Sequence, residues 1–251
     1  KPYPGGAPAN VACALSKLGI DTSILGSVGD DPDGYELKKV LRDKNVKLDY
    51  FSLLKGEKTR RCMVIRDKHG DRSFAGFGDN LPSLAFADCQ NELPENIKKY
   101  SEHFDWCVQG TLGLAAPKSK NSHQRLAKIS LDSNRIIRLV DINWRPVFWS
   151  HVKEDDARKQ IFDFASTSDV IKITDEEAMW LLGISPEKAL AEPSKVRQCF
   201  RNCRAVLVTA GALGASYDIL GHKGHVKSFS VDVIETTGAG DAFTAGLIYS
   251  L

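Results

Sequence analysis

Neither sign of charge is in excess: 34 Lys and Arg stand against 32 Asp and Glu, a net charge of +2 over 251 residues. A nucleic-acid partner calls for a clustered basic face, and the short Lys98-Lys99 and Lys118-Ser119-Lys120 groups read instead as solvated helix ends. No apolar run reaches the roughly 18 residues of a membrane-spanning helix, so no membrane role is expected. Also missing is a GxGxxG run after an early strand with an acidic residue about 20 positions on, which excludes a dinucleotide-dependent oxidoreductase. Six cysteines (13, 62, 89, 107, 199 and 203) show neither a paired CxxC zinc spacing nor a small disulfide framework. They read as small hydrophobes in a reduced, intracellular, soluble protein, with Cys199 and Cys203 spaced to share one helix face. There is no internal repeat, low-complexity tract or long linker.

What the chain does contain is alternation. Helical spacing over Ala9–Leu18, closed by Gly19, is followed by a short strand at Thr22–Val28 and an amphipathic helix at Tyr35–Asn45. Between Leu48 and Phe77 the period falls to two. CMVIR and RSFAGF flank Asp67-Lys68-His69-Gly70-Asp71, a hairpin signal, and this region is expected to be a small β appendage. From Asp105 onward, the apolar runs WCVQG, IIRLVDI, SDVIKIT and RAVLVTAG alternate with helical stretches near Ser119–Asp132, Glu154–Ser168, Asp175–Leu182 and Pro193–Asn202. That order predicts an α/β fold whose mostly parallel central sheet is covered on both faces by helices. Ligands in such folds sit beyond the C-terminal strand ends.

Two glycine motifs carry the chemistry. In ETTGAGDAFTAG (235–246), Gly238, Ala239 and Gly240 leave the backbone bare where a helix begins, after a β-like SFSVDVIE. Unpaired N–H groups and the positive helix end form an anion site there, and Asp241 places a carboxylate beside it. Such a carboxylate can accept the proton of an attacking hydroxyl; the plainer alternative is a turn with Asp241 capping the helix. In GGAPAN (5–10), Gly5 and Gly6 allow close approach to the backbone, and Asn10 offers a polyol both a donor and an acceptor. The alternative there is a tight turn with a surface Asn.

Together, GGAPANVACALSKLG and ETTGAGDAFTAGL resemble the two signature motifs of the ribokinase-like (PfkB) family of carbohydrate kinases, in the family's order and along nearly the whole chain. SILGSVGDDPDGYELKKVLRDKNV resembles the stretch after the first motif. Asp141-Ile142-Asn143-Trp144-Arg145-Pro146 with Trp149 resembles the DxNxRxxxW element of the fructokinase and ketodeoxygluconate kinase branch, of plant or cyanobacterial type. The resemblance implies a three-layer αβα sandwich, residues 1–251 forming a single kinase domain with a β lid within about 48–78. It implies ATP- and Mg²⁺-dependent phosphorylation of a sugar hydroxyl, fructose first and 2-keto-3-deoxygluconate as the alternative substrate.

By the same resemblance, Asp241 is the base and Gly238, Ala239 and Gly240 the anion hole. Gly5, Gly6 and Asn10 hold the sugar. Thr209, Gly211 and Gly214, with Thr174, line the nucleotide region, and Glu177 organises Mg²⁺ through water. Arg145, beyond the IIRLVDI strand, suits a phosphate or acidic sugar, with Asn143 beside it; a loop-fixing ion pair is the alternative. Of Arg60 and Arg61, on opposite faces by strand alternation, one is expected at the sugar cleft. A homodimer through the lid and a cytoplasmic or plastid-stromal home are expected. Departures from the family pattern are Glu235 for its aspartate, Thr174 for the asparagine of NxxE, and a small Ala210. The chain opens at Lys1 and ends at Leu251 inside an apolar run, so it is expected to be part of a longer protein. A rival reading is a catalytically silent fructokinase-like subunit of a plastid gene-expression complex, since a fold can outlive its activity.

Overall fold

A computed structural model describes residues 3–66, 72–98, 102–133, 135–232 and 236–251. The hairpin turn Asp67–Asp71, Glu235, Lys1 and Lys99 lie outside them. The chain runs α1 (Ala7–Lys17), β1 (Ser23–Gly29), α2 (Pro32–Asp43), β2 (Lys47–Leu54), β3 (Cys62–Arg66), β4 (Arg72–Phe77), β5 (Trp106–Gly110), α3 (Pro117–Asp132), β6 (Ile137–Asp141), α4 (Glu154–Ala165), β7 (Val170–Thr174), α5 (Asp175–Leu182), α6 (Pro186–Ala191), α7 (Pro193–Gln198), β8 (Ala205–Thr209), β9 (Ala215–Ile219), β10 (His222–Val226) and α8 (Ala239–Ser250).

The main sheet has the order β10-β9-β8-β7-β6-β5. Strands β5 to β8 are mutually parallel, and β9 and β10 add antiparallel at one side. Strand alternation sorts the apolar residues to two faces. Val140, Ile171, Ile173, Val206 and Val208 pack against α4 to α7 through Ala157, Ile161, Phe164, Leu181 and Val196. Leu139, Val170, Ala205 and Leu207 pack on the other face against Val11 and Leu15 of α1 and Ala245 and Ile248 of α8. Each fully buried Ile, Leu, Val or Phe is worth about 1.5–3 kcal/mol, so both faces are held by ordinary apolar burial. The result is the expected α/β sandwich.

Local signals set the helix starts. Asp31 caps α2, its Oδ1 accepting from the Gly34 N–H at 2.8 Å, with Pro32 at the first helical position. Thr174 and Glu177 form a reciprocal capping box at the start of α5, and Gly183 ends that helix in the left-handed region.

Three expectations change. The stretch 48–77 is not one appendage of strands: β2 pairs in parallel with β1, and only β3 and β4 form the antiparallel hairpin. A period of two says that a strand exists and leaves its partner open. Residues 228–232 form no strand, because the sheet edge β10 ends at Val226 and the exposed Phe229 and Val231 have no ladder to join. Helix α7 stops at Gln198, so Cys199 is exposed at its end while Cys203 is buried before β8, and the two share no helix face.

Candidate functional site

The two glycine motifs meet. Helices α1 and α8 pack side by side on the same sheet face, and this brings residues 231 positions apart into contact: Asn10 Nδ2 donates to Asp241 Oδ2 at 2.7 Å. Gly6 precedes α1 with φ +109° and accepts the Asn10 N–H at 2.9 Å. Gly238 begins α8 with φ +76°, a conformation that disfavours any side chain. Its open face lies against the Asn10 amide and the Asp241 carboxylate, each 3.8 Å from where a Cβ would stand. Ala242 N–H donates to Gly238 O at 2.8 Å, and Ala239 N–H turns back to Thr236 O at 3.2 Å. The first turn of α8 brings the positive helix end and a half-buried carboxylate together.

The other residues singled out lie along the C-terminal edge of the parallel strands. Register places Asp141, the last residue of β6, beside Lys172 of β7, and Thr174 at the end of β7 beside Thr209 at the end of β8. Asn143 follows β6 with φ +43°. Glu177, 6% exposed, accepts two backbone N–H groups, Thr174 N at 2.9 Å and Trp144 N at 2.8 Å. Thr174 Oγ1 accepts the Glu177 N–H at 3.0 Å, so its hydroxyl serves as the helix cap. Arg145 Nη1 donates to Trp144 O at 2.7 Å and stands 4.0 Å from Glu177 Oε1, with Phe74 of β4 across its guanidinium at 5.6 Å. Gly211 (φ +50°) opens the loop after β8, and Gly214 lies where a Cβ would meet Val226 O at 2.1 Å, fixing that loop to β10. Gly5 is exposed with open space about it.

The arginine pair behaves as alternation predicts, in part. Arg60 is half-buried, its guanidinium 4.5–4.7 Å from the rings of Phe77, Phe86 and Phe148 and its Nε donating to Asp88 at 2.9 Å. Arg61 is exposed and pairs with Asp33.

Sequence reasoning missed one pair. Lys172 Nζ donates to both Asp141 oxygens, at 3.0 and 2.9 Å, and both residues are buried. Burial, countered by Lys172 and reinforced by the Glu177 and Asp241 carboxylates, pushes the Asp141 carboxyl up to about 6. The signal was a lysine inside the otherwise apolar VIKIT: a charge in a strand covered on both faces needs a partner.

Among the described residues no group of three His, Cys, Asp or Glu could hold a metal directly. Each Glu177 oxygen accepts one backbone N–H and keeps a lone pair, which suits a water in a metal's outer shell rather than the metal itself.

A model of the pfkB family of carbohydrate kinases matches residues 1–251. The chain is 34% identical to the probable chloroplastic fructokinase-6 of Arabidopsis thaliana, with 100% of this chain and 63% of that protein covered. It is 32% identical to fructokinase-1 of Zea mays, over 98% of this chain and 72% of that one. It thus spans less than two thirds of the Arabidopsis relative. Among solved structures, the Vibrio cholerae O395 fructokinase in its fructose-, ADP- and calcium-bound form superposes with a TM-score of 0.79 at 28% identity, covering 98% of this chain and 75% of that one. An uncharacterized sugar kinase of Pyrococcus horikoshii in complex with ATP gives a TM-score of 0.79 at 25% identity, covering 98% and 74%.

Proposed function

The chain belongs to the pfkB family of carbohydrate kinases, and from that premise we propose that the full-length protein transfers the γ-phosphoryl group of ATP to a hydroxyl of fructose. The observation that carries this reading is the 2.7 Å hydrogen bond from Asn10 to Asp241, which joins a polyol-binding amide to a carboxylate at the mouth of the glycine turn. The relatives named fructokinase and the structure holding fructose and ADP support the same choice.

Asp241 accepts the proton as the sugar O–H breaks. The freed oxygen forms its bond to the γ-phosphorus, and the bond to the bridging oxygen breaks, leaving ADP with the electron pair. Phosphoryl transfer is mostly positioning and electrostatics, so a carboxylate suffices as base. The backbone of Gly238, Ala239 and Gly240 cradles the transferring charge. Gly5, Gly6 and Asn10 hold the sugar hydroxyls, with Asn143 and Arg145 along the same edge. Thr209, Gly211, Gly214 and Thr174 line the nucleotide side. Mg²⁺ would supply positive charge to the phosphates, and Glu177 would orient one of its waters.

The β3–β4 hairpin is the lid in this reading. It exposes Met63, Val64, Ile65 and Phe74, apolar surface that the hairpin of a second copy would cover. No helix among the described residues is long and apolar enough to cross a membrane; the plastid stroma or the cytosol is the proposed site of action.

The test is ATP-dependent phosphorylation of a sugar panel by the full-length protein, wild type beside Asp241→Asn. Turnover of fructose is expected, lost by about 10²-fold or more in the variant. Turnover of 2-keto-3-deoxygluconate instead would make Arg145 the partner of a substrate carboxylate. A folded wild type that phosphorylates no sugar would transfer the case to the structural-subunit reading.

A further inference from the structure

We propose that Lys172, clamped by Asp141, is a positioning residue of the phosphoryl-transfer site, its ammonium lying beneath the glycine turn and strengthening the positive field that receives the transferring phosphate. The proposal rests on the kinase reading above. Lys172 sits in β7, 5% exposed, among Val170, Ile171 and Ile173. Its ammonium carries three N–H groups, and the hydrogen bonds it makes to described side chains go to Asp141.

Stability alone does not call for such a pair. Replacing a buried ion pair with apolar residues of similar volume is often neutral or stabilising, because desolvation offsets the attraction. The nearest strand neighbours, Leu139, Val140, Ile171 and Ile173, are apolar and buried. What distinguishes the position is what stands against it: a Cβ at Gly240 would lie 3.0 Å from Lys172 Nζ and 3.7 Å from its Cε. The ammonium is pressed against the first turn of α8. A cation there adds to the positive helix end rather than opposing it, and Asp141 compensates it from one side only. The γ-phosphoryl group of a nucleoside triphosphate bound at the turn would be a second anion for the same field.

The same geometry explains Gly240. Gly238 needs glycine for its positive φ, but Gly240 has ordinary helical backbone and is small because Lys172 occupies the space a side chain would need. The lysine transfers nothing; it acts on the turn, and through it on the phosphate.

The decisive experiment replaces the pair by apolar residues, Asp141→Leu with Lys172→Met, in the full-length protein. Melting temperature, kcat and both KM values are measured beside wild type. The expected result is a fold retained, a kcat lower by about tenfold or more, and a sugar KM within about threefold. A folded double variant with wild-type kcat overturns the proposal while leaving the kinase reading intact. Failure of the unsubstituted protein to phosphorylate any sugar removes both. Should the double variant not fold, the unsubstituted protein decides. With ¹⁵N-labelled lysine, and the Lys172 Nζ resonance assigned by its loss in Lys172→Arg, that resonance is expected to shift on adding ADP with aluminium fluoride and not on adding sugar alone. An unmoved resonance overturns the proposal.

Discussion

Gly240→Ala pits two effects of known sign against each other. In a helix, alanine is better than glycine by up to about 1 kcal/mol, and Gly240 has no backbone reason to be glycine. The added methyl, however, would stand 3.0 Å from Lys172 Nζ, where a comfortable contact needs about 3.5–4.0 Å. A lysine tip could normally swing aside at little cost. This one is held by two hydrogen bonds to Asp141 at 2.9 and 3.0 Å. Moving Nζ by about 0.5 Å stretches them to the limit of useful geometry. Hydrogen bonds to charged groups are worth about 1.5–3 kcal/mol, so loosening the clamp outweighs the helix gain. The variant should lose about 1–2 kcal/mol.

For a chain of this size that is a fall in melting temperature of about 2–8 °C. The assay is a thermal melt of Gly240→Ala on two backgrounds, wild type and the Asp141→Leu/Lys172→Met double variant. On the second background the methyl meets no clamped ammonium, so the substitution should be neutral or slightly stabilising, a coupling that a mutant cycle isolates. Equal shifts on both backgrounds, or a rise in melting temperature on the wild-type background, would refute the reasoning.

Two further outcomes follow from the same edge of the sheet. Asp141 has a folded pKa of about 6, above the roughly 3.9 of an unfolded aspartate, so the stability it contributes is full below about pH 4 and is lost as pH rises through about 6. Denaturant unfolding of wild type and Asp141→Asn at about pH 4.5 and about pH 7 should show wild type losing ground to the variant at the higher pH; parallel pH dependences would rule the shift out. At Thr174, Ala removes the acceptor for the Glu177 N–H and should cost about 1 kcal/mol in urea unfolding, whereas Asn, an equal or better cap, should stay within about 0.5 kcal/mol. An alanine variant as stable as wild type would show that the cap contributes nothing.

Much of this architecture is legible in the residues because the forces that write it are local. WCVQG, IIRLVDI, SDVIKIT and RAVLVTAG are short apolar runs, and each contains a parallel strand. Asp175–Leu182 is helical between its capping pair and Gly183, as its spacing predicts. Strands β9 and β10, ASYDI and HKGHV, lie at the sheet's side, β9 only half-buried and β10 exposed nearly throughout, and their pattern is too weak to read. The two glycine motifs were each legible; that they touch was not, because contact over 231 positions is made by helix packing.

Buried charge marks where reading residues one at a time stops. Lys172 in VIKIT and Arg138 in IIRLVDI look alike in sequence, one cation inside an apolar strand. Arg138 spends its guanidinium on Gln109, Thr167 and the Phe164 carbonyl, with the Phe164 ring 4.3 Å away, which ties α4 to the sheet. Lys172 points toward the carboxylate that register sets beside it, Asp141, and toward the glycine turn. Their chemistry is the same and their neighbours decide the role. Thr174 teaches the converse. Against the family's asparagine it reads as a weakened metal site, yet its hydroxyl does what an asparagine oxygen would do there, accepting the Glu177 N–H while Glu177 accepts Thr174 N–H in return. The substitution keeps the acceptor and drops the amide donor. What the threonine hydroxyl keeps is the placement of Glu177, and a function that rests on that placement does not need an amide at position 174.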